Sequence, residues 1–224
     1  MVKLSAPVQA VLFDLDGTLV DSAPDLALAV ERMRAMRGLP PLSLTRYRPH
    51  ASAGARGMLR IAFGVIPQDD GYERLKREFL SEYRQCLLHN TVCFDGVAVL
   101  LSALERAGLP WGIVTNKAQE LTDLVLAGLP ILAGAGAVIC GDTLPQAKPH
   151  PAPLLEAARR LGIAPSECLY VGDDERDIVA GRAAGMFTVV ARYGYLGESG
   201  DTSHWAANEE VNSPAEVLKL LGLP

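Results

Sequence analysis

Five short apolar segments constrain the fold of this chain more than any other feature of its sequence. Each is a largely continuous apolar run, and a polar residue or a glycine follows it at once. Continuous apolar runs are typical of strands that are covered on both faces, as in a parallel sheet. The five segments are AVLF (10–13), WGIV (111–114), AVIC (137–140), CLYV (168–171) and TVVA (188–191).

Helical patterns lie between most of these segments. One apolar stripe at helical spacing runs from Val97 to Leu104 and is followed by Gly108. Another pattern runs from Pro151 to Leu161, ahead of Gly162. Because parallel strands need a crossover, which is usually a helix, this alternation predicts an α/β fold. We expect a Rossmann-like, doubly wound parallel sheet with helices on both faces.

A segment near the N-terminus interrupts the alternation. It has helical patterns and no strong strand signal. The first pattern begins at Pro24, after a candidate N-cap at Ser22, and the others cover residues 53–63 and 72–87. A helical block after the first strand predicts an inserted cap domain.

The interruption also predicts domain boundaries. We expect residues 1–20 and 91–224 to form the sheet domain and residues 21–90 to form the all-helical cap. The hinges between the two domains are expected near residues 21–22 and 90–96.

Acidic residues follow two of the predicted strands. Carboxyl ends of parallel strands meet at one edge of a sheet, so Asp14, Thr115 and Asp173 are expected to converge there. Two carboxylates ~5 Å apart repel by roughly 3 kcal/mol at an effective dielectric near 20, so a bound cation is expected beside them. Carboxylate-rich oxygen sites favour Mg²⁺. The acids are Asp14 and Asp16 after the first segment, and Asp173, Asp174 and Asp177 after the fourth.

Four motifs in a fixed order carry a family resemblance. DLDGTLVDS (14–22), IVTN (113–116), AKPHPAP (147–153) and VGDDERD (171–177) resemble the four motifs of haloacid-dehalogenase-type phosphatases. The resemblance extends over nearly the whole chain. It implies a Rossmann-like core, a helical cap and a Mg²⁺-dependent mechanism in which an aspartate carries the phosphoryl group.

The resemblance implies a role for each motif residue. Asp14 is the expected nucleophile, and Asp16 is the expected general acid and then general base. Thr115 and the backbone N–H of Asn116 are expected to bind the phosphate. Lys148 is expected to neutralise Asp14 and the phosphoryl oxygens.

The resemblance also implies a metal site. Its expected ligands are Asp14, the carbonyl group of Asp16, and Asp173. Asp177 is expected to orient metal-bound water or the lysine of the third motif, and Asp174 is expected to be a weaker partner.

The cap is expected to choose the substrate. Arg56 is a candidate for binding a substrate carboxylate, since guanidinium pairs with it bidentately. Ser52 and Gly54 start a predicted helix whose backbone N–H groups could meet an anion. Overall spacing resembles phosphoglycolate phosphatases, whereas SAGARGML (52–59), RYGY (192–195) and HWAAN (204–208) resemble N-acetylmuramic acid 6-phosphate phosphatases. Both substrates carry a carboxylate, so the choice stays open.

Two other functions remain as alternatives. A sugar-phosphate mutase of the β-phosphoglucomutase type shares these motifs. A catalytically silent protein that binds a phosphorylated metabolite would need to have lost the nucleophile or a metal ligand, and none is lost here.

Composition narrows the partners. The net charge is −5 with no long basic run, which argues against nucleic acid. No apolar run approaches ~18 residues and the N-terminus has no apolar signal segment, so neither a membrane span nor secretion is expected. We expect a cytoplasmic protein that acts on a small phosphorylated metabolite, in an oligomeric state that the sequence leaves open.

Overall fold

The structure, a computed structural model, describes residues 7–224. Residues 1–6, the start of the predicted sheet domain, lie outside the described residues. The strands are β1 (Ala10–Phe13), β2 (Val20–Asp21), β3 (Val92–Cys93), β4 (Trp111–Val114), β5 (Ala137–Ile139), β6 (Cys168–Gly172), β7 (Phe187–Ala191) and β8 (Glu209–Val211). The α-helices are α1 (Ala23–Ala35), α2 (Leu44–Tyr47), α3 (Ala55–Phe63), α4 (Tyr72–Cys86), α5 (Val97–Arg106), α6 (Gln119–Gly128), α7 (Ala152–Leu161), α8 (Glu175–Ala183) and α9 (Pro214–Leu221).

Six strands form one parallel sheet in the order β5-β4-β1-β6-β7-β8. All five predicted strands are present, each within one residue of its predicted ends. The α/β fold with a doubly wound parallel sheet is therefore confirmed. Strand β8 was not predicted, because its three residues include Glu209 and Glu210 and give no apolar run.

The surroundings of the central strand, β1, explain why its sequence is apolar at every position. Val11 and Phe13 belong to a buried cluster with residues of α5 and α9. Ala10 and Leu12 belong to a second cluster with residues of α7 and α8. Both faces of β1 are thus covered by helices, as continuous apolar strands require.

The helices α1 to α4 are inserted between β2 and β3 and have a core of their own. Leu26, Met33, Tyr47, Met58 and Phe79 are among the buried members of this cluster. The predicted helical cap is confirmed as an element of the fold, while the boundaries at residues 20/21 and 90/91 stay a prediction.

The two segments that join the cap to the sheet are hydrogen-bonded to each other. Strands β2 and β3, which carry these segments, pair antiparallel. The buried carboxylate of Asp25 in α1 accepts hydrogen bonds from the backbone N–H groups and the side chains of Asn90 and Thr91. The expected hinge segments are therefore tied both to each other and to the first cap helix.

The start of α1 differs from the prediction in one respect. Ser22 occupies the N-cap position, but its hydroxyl makes no capping hydrogen bond and donates to Asp16 at 2.5 Å. The hydroxyl of Tyr195 instead accepts hydrogen bonds from the backbone N–H groups of Ser22 and Ala23. A distant tyrosine thus provides the cap that the sequence assigned to the serine. Across residues 7–224, no helix is both long enough and apolar enough to span a membrane.

Candidate active site

A pocket with a volume of about 360 Å³ lies between the carboxyl ends of the central strands and the helical cap. It occupies the position where open parallel sheets bind their ligands. Of the predicted site residues, only Asp173, which is fully buried, does not line the pocket wall. The predicted residues that line it are Asp14, Asp16, Ser52, Gly54, Arg56, Thr115, Asn116, Lys148, Asp174 and Asp177.

Three buried carboxylates form a cluster next to the pocket, and two of them, Asp14 and Asp177, line it. Asp14, Asp173 and Asp177 each offer an oxygen within 4.8 Å of the others. Burial raises the pKa of Asp14 to about 7, although the Lys148 ammonium opposes the shift. Burial also raises the pKa of Asp173 well above its usual value, and the charges of the other two acids add to this. Repulsion between carboxylates is therefore present in the fold, but it acts mainly among Asp14, Asp173 and Asp177 rather than between the neighbouring acids Asp14 and Asp16.

Lys148 provides the positive charge within this cluster. Its Nζ lies 2.9 Å from Oδ1 of Asp14 and 2.7 Å from Oδ1 of Asp177. The same Nζ donates to the Tyr170 hydroxyl, which in turn donates to Asp177. Lys148 and Asp177 are thus in direct contact, one of the two arrangements expected for Asp177.

Asn116 holds the backbone of Lys148. The Asn116 side chain accepts a hydrogen bond from the Lys148 N–H at 3.0 Å and donates one to its carbonyl oxygen at 2.9 Å. This role of the Asn116 side chain was not predicted from the sequence. The role predicted for its backbone N–H, phosphate binding, stays a prediction.

The carboxylate of Asp173 is held from both domains. It accepts hydrogen bonds from the Thr18 hydroxyl at 3.0 Å, the Ser52 hydroxyl at 3.1 Å and the Tyr195 N–H at 2.9 Å. Gly17 approaches so closely that a Cβ there would lie 2.1 Å from an Asp173 oxygen, and its φ is +88°. A glycine is therefore required at this position both sterically and conformationally.

The cluster fits a divalent cation. Three buried carboxylates face one ammonium, so the ionised cluster carries excess negative charge in a site that water solvates poorly. A bound cation would offset both the burial and the mutual repulsion that raise the pKa values of Asp14 and Asp173. Carboxylate oxygens are the donors that hard cations such as Mg²⁺ prefer.

Asp16 lies apart from this cluster and has a lysine of its own. Nζ of Lys117 lies 2.9 and 3.0 Å from the two carboxylate oxygens of Asp16. It also donates to the hydroxyl of Tyr83 on α4, at 2.9 Å. Each of the two neighbouring aspartates therefore pairs with a different buried lysine.

Lys117 is the residue that reasoning from the sequence missed. A lone lysine in a loop is usually a solvated residue, yet this side chain is only 6% exposed. The available signal was its place directly after IVTN, at a strand end expected to meet the DxD segment.

Asp174 does not belong to the carboxylate cluster. Its carboxylate caps α8 by accepting from the Arg176 N–H, and it forms an ion pair with the Arg176 guanidinium at 2.7 Å. Arg176 also donates to the carbonyl oxygen of Ser52 in the cap. Asp174 thus organises the start of α8 and its contact with the cap.

The cap side of the pocket is mainly apolar and aromatic, with two cationic side chains, Arg56 and Lys76, among these residues. Tyr72, Phe79 and Tyr83 line it from α4, and Phe79 stacks on Tyr83 with a centroid distance of 6.0 Å. Arg56 on α3 is exposed, and no carboxylate among residues 7–224 lies within ion-pair distance of it. Its guanidinium is therefore available to an anionic group of a ligand.

Comparison with known proteins identifies the family. The family model for haloacid dehalogenase-like hydrolases matches residues 8–185. The chain belongs to this family. Relatives with high similarity over nearly their whole length agree with this assignment, and so do solved structures.

Two of these relatives carry different names. A phosphoglycolate phosphatase of Xanthomonas campestris pv. campestris is 48% identical over 96% of this chain and 97% of its own length. An N-acetylmuramic acid 6-phosphate phosphatase of Pseudomonas aeruginosa is 42% identical over 96% of this chain and 95% of its own length. The relatives of this haloacid dehalogenase-like hydrolase therefore bear the names of two different substrates, and sequence similarity alone does not choose between them.

Solved structures share the fold of this hydrolase. A predicted phosphoglycolate phosphatase from Haemophilus somnus 129pt has a TM-score of 0.83 and 28% identity, and the match covers 96% of this chain and 99% of that one. A HAD family hydrolase from Deinococcus radiodurans R1, solved with bound phosphate and sodium, has a TM-score of 0.74 and 27% identity, covering 97% and 96%.

Proposed function

We propose that this haloacid dehalogenase-like hydrolase is a cytoplasmic, Mg²⁺-dependent phosphatase that acts on a small phosphorylated metabolite through an aspartyl-phosphate intermediate. The observation that carries the proposal is the position of Asp14. Its carboxylate lines the pocket at the end of β1, next to the Lys148 ammonium and within the carboxylate cluster. This is the arrangement a carboxylate needs to approach a phosphate, since the excess negative charge must be balanced.

In the first step, an oxygen of Asp14 attacks phosphorus and the bond between phosphorus and the ester oxygen breaks. Asp16 gives its proton to the departing alkoxide, which leaves as the alcohol. In the second step, water attacks the phosphorus of the aspartyl phosphate while Asp16 takes a proton from that water. Inorganic phosphate leaves, and Asp14 is again a free carboxylate.

The other polar residues bind and balance charge. Lys148 neutralises Asp14 and the phosphoryl oxygens, and Thr115 with the Asn116 N–H binds the phosphate. Asp14, Asp173 and the Asp16 carbonyl group would hold Mg²⁺. When bound, the cation supplies charge neutralisation and orientation at the phosphoryl group.

The pocket favours the larger of the two candidate substrates. A volume of about 360 Å³ falls in the range of roughly 300–1,000 Å³ that holds drug-sized ligands. N-acetylmuramate 6-phosphate would place its sugar against the aromatic wall and its carboxylate near Arg56. Phosphoglycolate, with two carbons, is the second candidate, because the relatives at 48% identity bear that name.

A substrate panel tests the proposal. Release of inorganic phosphate is measured with Mg²⁺ for N-acetylmuramate 6-phosphate, phosphoglycolate and glucose 6-phosphate, which lacks a carboxylate. We expect the highest kcat/KM for N-acetylmuramate 6-phosphate. A preference for phosphoglycolate would establish the second candidate, an isomerised sugar phosphate would indicate a mutase, and no turnover of any compound would refute the phosphatase.

A further inference from the structure

The loop that follows β4 fixes the backbone of Lys117. The Lys117 N–H donates to the Thr115 hydroxyl at 3.1 Å, and its carbonyl oxygen accepts from the Gly141 N–H at 2.8 Å. A Cβ on Gly141 would lie 2.3 Å from the Asn116 carbonyl oxygen, so the loop packs tightly against its neighbour. Lys117 therefore extends from a loop that is hydrogen-bonded and tightly packed.

The contacts of the Lys117 ammonium come from opposite sides of the pocket. Both oxygens of Asp16, from the sheet domain, accept its hydrogen bonds at 2.9 and 3.0 Å. Tyr83, from the cap, accepts a third at 2.9 Å and also lies with its ring centroid 4.9 Å from Nζ. The ammonium therefore connects Asp16 of the sheet domain to Tyr83 of the cap across the pocket.

Stability alone does not explain this pair. An ion pair that is largely shielded from water loses solvation, and apolar replacements of similar volume at buried sites are often neutral or stabilising. The pair instead lies on the wall of the pocket, with Asp16 15% exposed beside the nucleophile's segment. The effect of the pair at this position is to orient the Asp16 carboxylate.

That carboxylate is fixed by two donors. Lys117 binds both oxygens, and the Ser22 hydroxyl donates to Oδ1 at 2.5 Å. A group that transfers protons must lie within hydrogen-bond reach of the reacting atom. Small displacements of such groups are costly, since a shift of ~1 Å can reduce a rate about 10²-fold.

We propose that Lys117 is a positioning residue that acts through Asp16, holding its carboxylate in the direction needed for proton transfer, with Tyr83 bracing the lysine from the cap. The inference rests on the proposed phosphatase activity and on the role of Asp16 within it. It adds two residues, Lys117 and Tyr83, to those that the motifs identify.

The dependence on the leaving group tests this proposal. 4-Nitrophenolate leaves without a proton, whereas the alkoxide of a sugar phosphate needs one. Lys117→Met should therefore lower kcat/KM for N-acetylmuramate 6-phosphate, or for phosphoglycolate if the wild type prefers it, by about tenfold or more. The kcat/KM for 4-nitrophenyl phosphate should change less than about threefold, because kcat/KM reports steps only up to departure of the leaving group.

A double-mutant cycle separates action through Asp16 from direct binding of the substrate. If Lys117 works through Asp16, adding Lys117→Met to Asp16→Asn should cause no further loss of kcat/KM. If the lysine binds the phosphate or carboxylate of the substrate, the loss would appear in both backgrounds and for both substrates, and the proposal would be overturned.

Two more conservative variants keep the proposal testable if Lys117→Met does not fold. Lys117→Arg keeps the charge and should recover part of the lost activity toward the alkyl phosphate. Tyr83→Phe removes only one hydroxyl and should give the same selectivity for the leaving group, with a smaller loss. Equal losses for both phosphates in these folded variants would refute the positioning role. A wild type with no phosphatase activity would instead refute the proposed function itself.

Discussion

The two walls of the pocket differ in whether their charged side chains are paired within the protein. On the sheet wall, Asp14 and Asp16 are mostly buried and each is paired with a lysine at 2.9 Å. On the cap wall, Arg56 is exposed next to aromatic side chains, with no carboxylate of residues 7–224 within ion-pair distance, and Lys76, which also lines this wall, has Glu73 3.6 Å away. The sheet wall thus has its partners in place before a ligand binds, whereas the cap wall offers a cation that a ligand can satisfy.

This difference indicates that the sheet wall serves the reaction and the cap wall serves substrate selection. Preorganised charges stabilise a transition state without the cost of reorganising solvent, which suits a reaction common to many substrates. A solvated guanidinium on an apolar wall suits selection, because it favours one kind of ligand by pairing with it. We therefore expect loss of Asp14 or of the metal at the sheet wall to affect the rate with every substrate, and substitutions such as Arg56→Ala on the cap wall to affect the choice among substrates.

The largest effect is expected for Asp14→Asn. The amide cannot accept the phosphoryl group, so turnover should fall by at least about 10⁴-fold with every phosphate ester. Phosphate release is measured beside circular dichroism, which should show an intact fold. Residual turnover above about 1% in a folded variant would remove Asp14 from its role.

The next largest effect is expected for removal of the metal. Exhaustive chelation should reduce turnover by at least about 100-fold with all substrates, since the carboxylate cluster would then repel the phosphate. Excess Mg²⁺ added to the same chelated sample is the control and should restore the rate. Undiminished turnover after chelation would contradict the metal site.

A smaller and selective effect is expected on the cap wall. Arg56→Ala should raise KM for substrates that carry a carboxylate by about 10- to 100-fold, the loss of a charged hydrogen bond. Turnover of 4-nitrophenyl phosphate should hardly change. Arg60→Ala, on the same helix but outside the pocket, is the matched control. Equal effects of the two substitutions would show that Arg56 does not contact the substrate.

The smallest effect is expected on the pH dependence of the protein's stability when no metal is bound. Burial raises the pKa of Asp14 from 3.8 to about 7, so the folded protein binds this proton more tightly than the unfolded chain. The stabilisation that comes from the protonated Asp14 carboxyl is fully present below its pKa in the unfolded chain, 3.8. It is lost as the pH rises through about 7, the pKa of Asp14 in the folded protein.

Asp14→Asn removes this dependence. In chelator, its Tm relative to wild type should therefore rise by several degrees between pH 5 and pH 8, because about 1 kcal/mol shifts Tm by 2–4 °C in a chain of this size. Differential scanning calorimetry of both proteins across this range is the measurement. A difference that stays constant with pH would contradict the raised pKa.

Sequence and structure agree best where the signal is local. The five apolar runs predict their strands because a buried parallel strand needs no partner to be recognised. Strands β2 and β3 have two residues each, and only their pairing across the whole cap creates them. No local pattern could have shown that pairing.

The site follows the same rule. Asp14 and Thr115 directly follow strands β1 and β4, whereas Lys148 lies in the loop between β5 and α7, and all three line the pocket at the edge that the motif order indicated. The pairing of Lys117 with Asp16 and Tyr83 depends on the packing of α4 against the sheet domain, which the sequence does not specify. The same holds for Tyr195, whose hydroxyl caps a helix in another domain.

Direct detection of the phosphorylated enzyme tests the central claim most directly. Wild-type protein is mixed with substrate and Mg²⁺, quenched in acid within milliseconds, and digested for mass spectrometry. The account predicts a transient phosphate on the peptide that contains Asp14, absent from Asp14→Asn and decaying as inorganic phosphate appears. Phosphate release at full rate with no phosphorylated peptide, or with the phosphate on another residue, would contradict it.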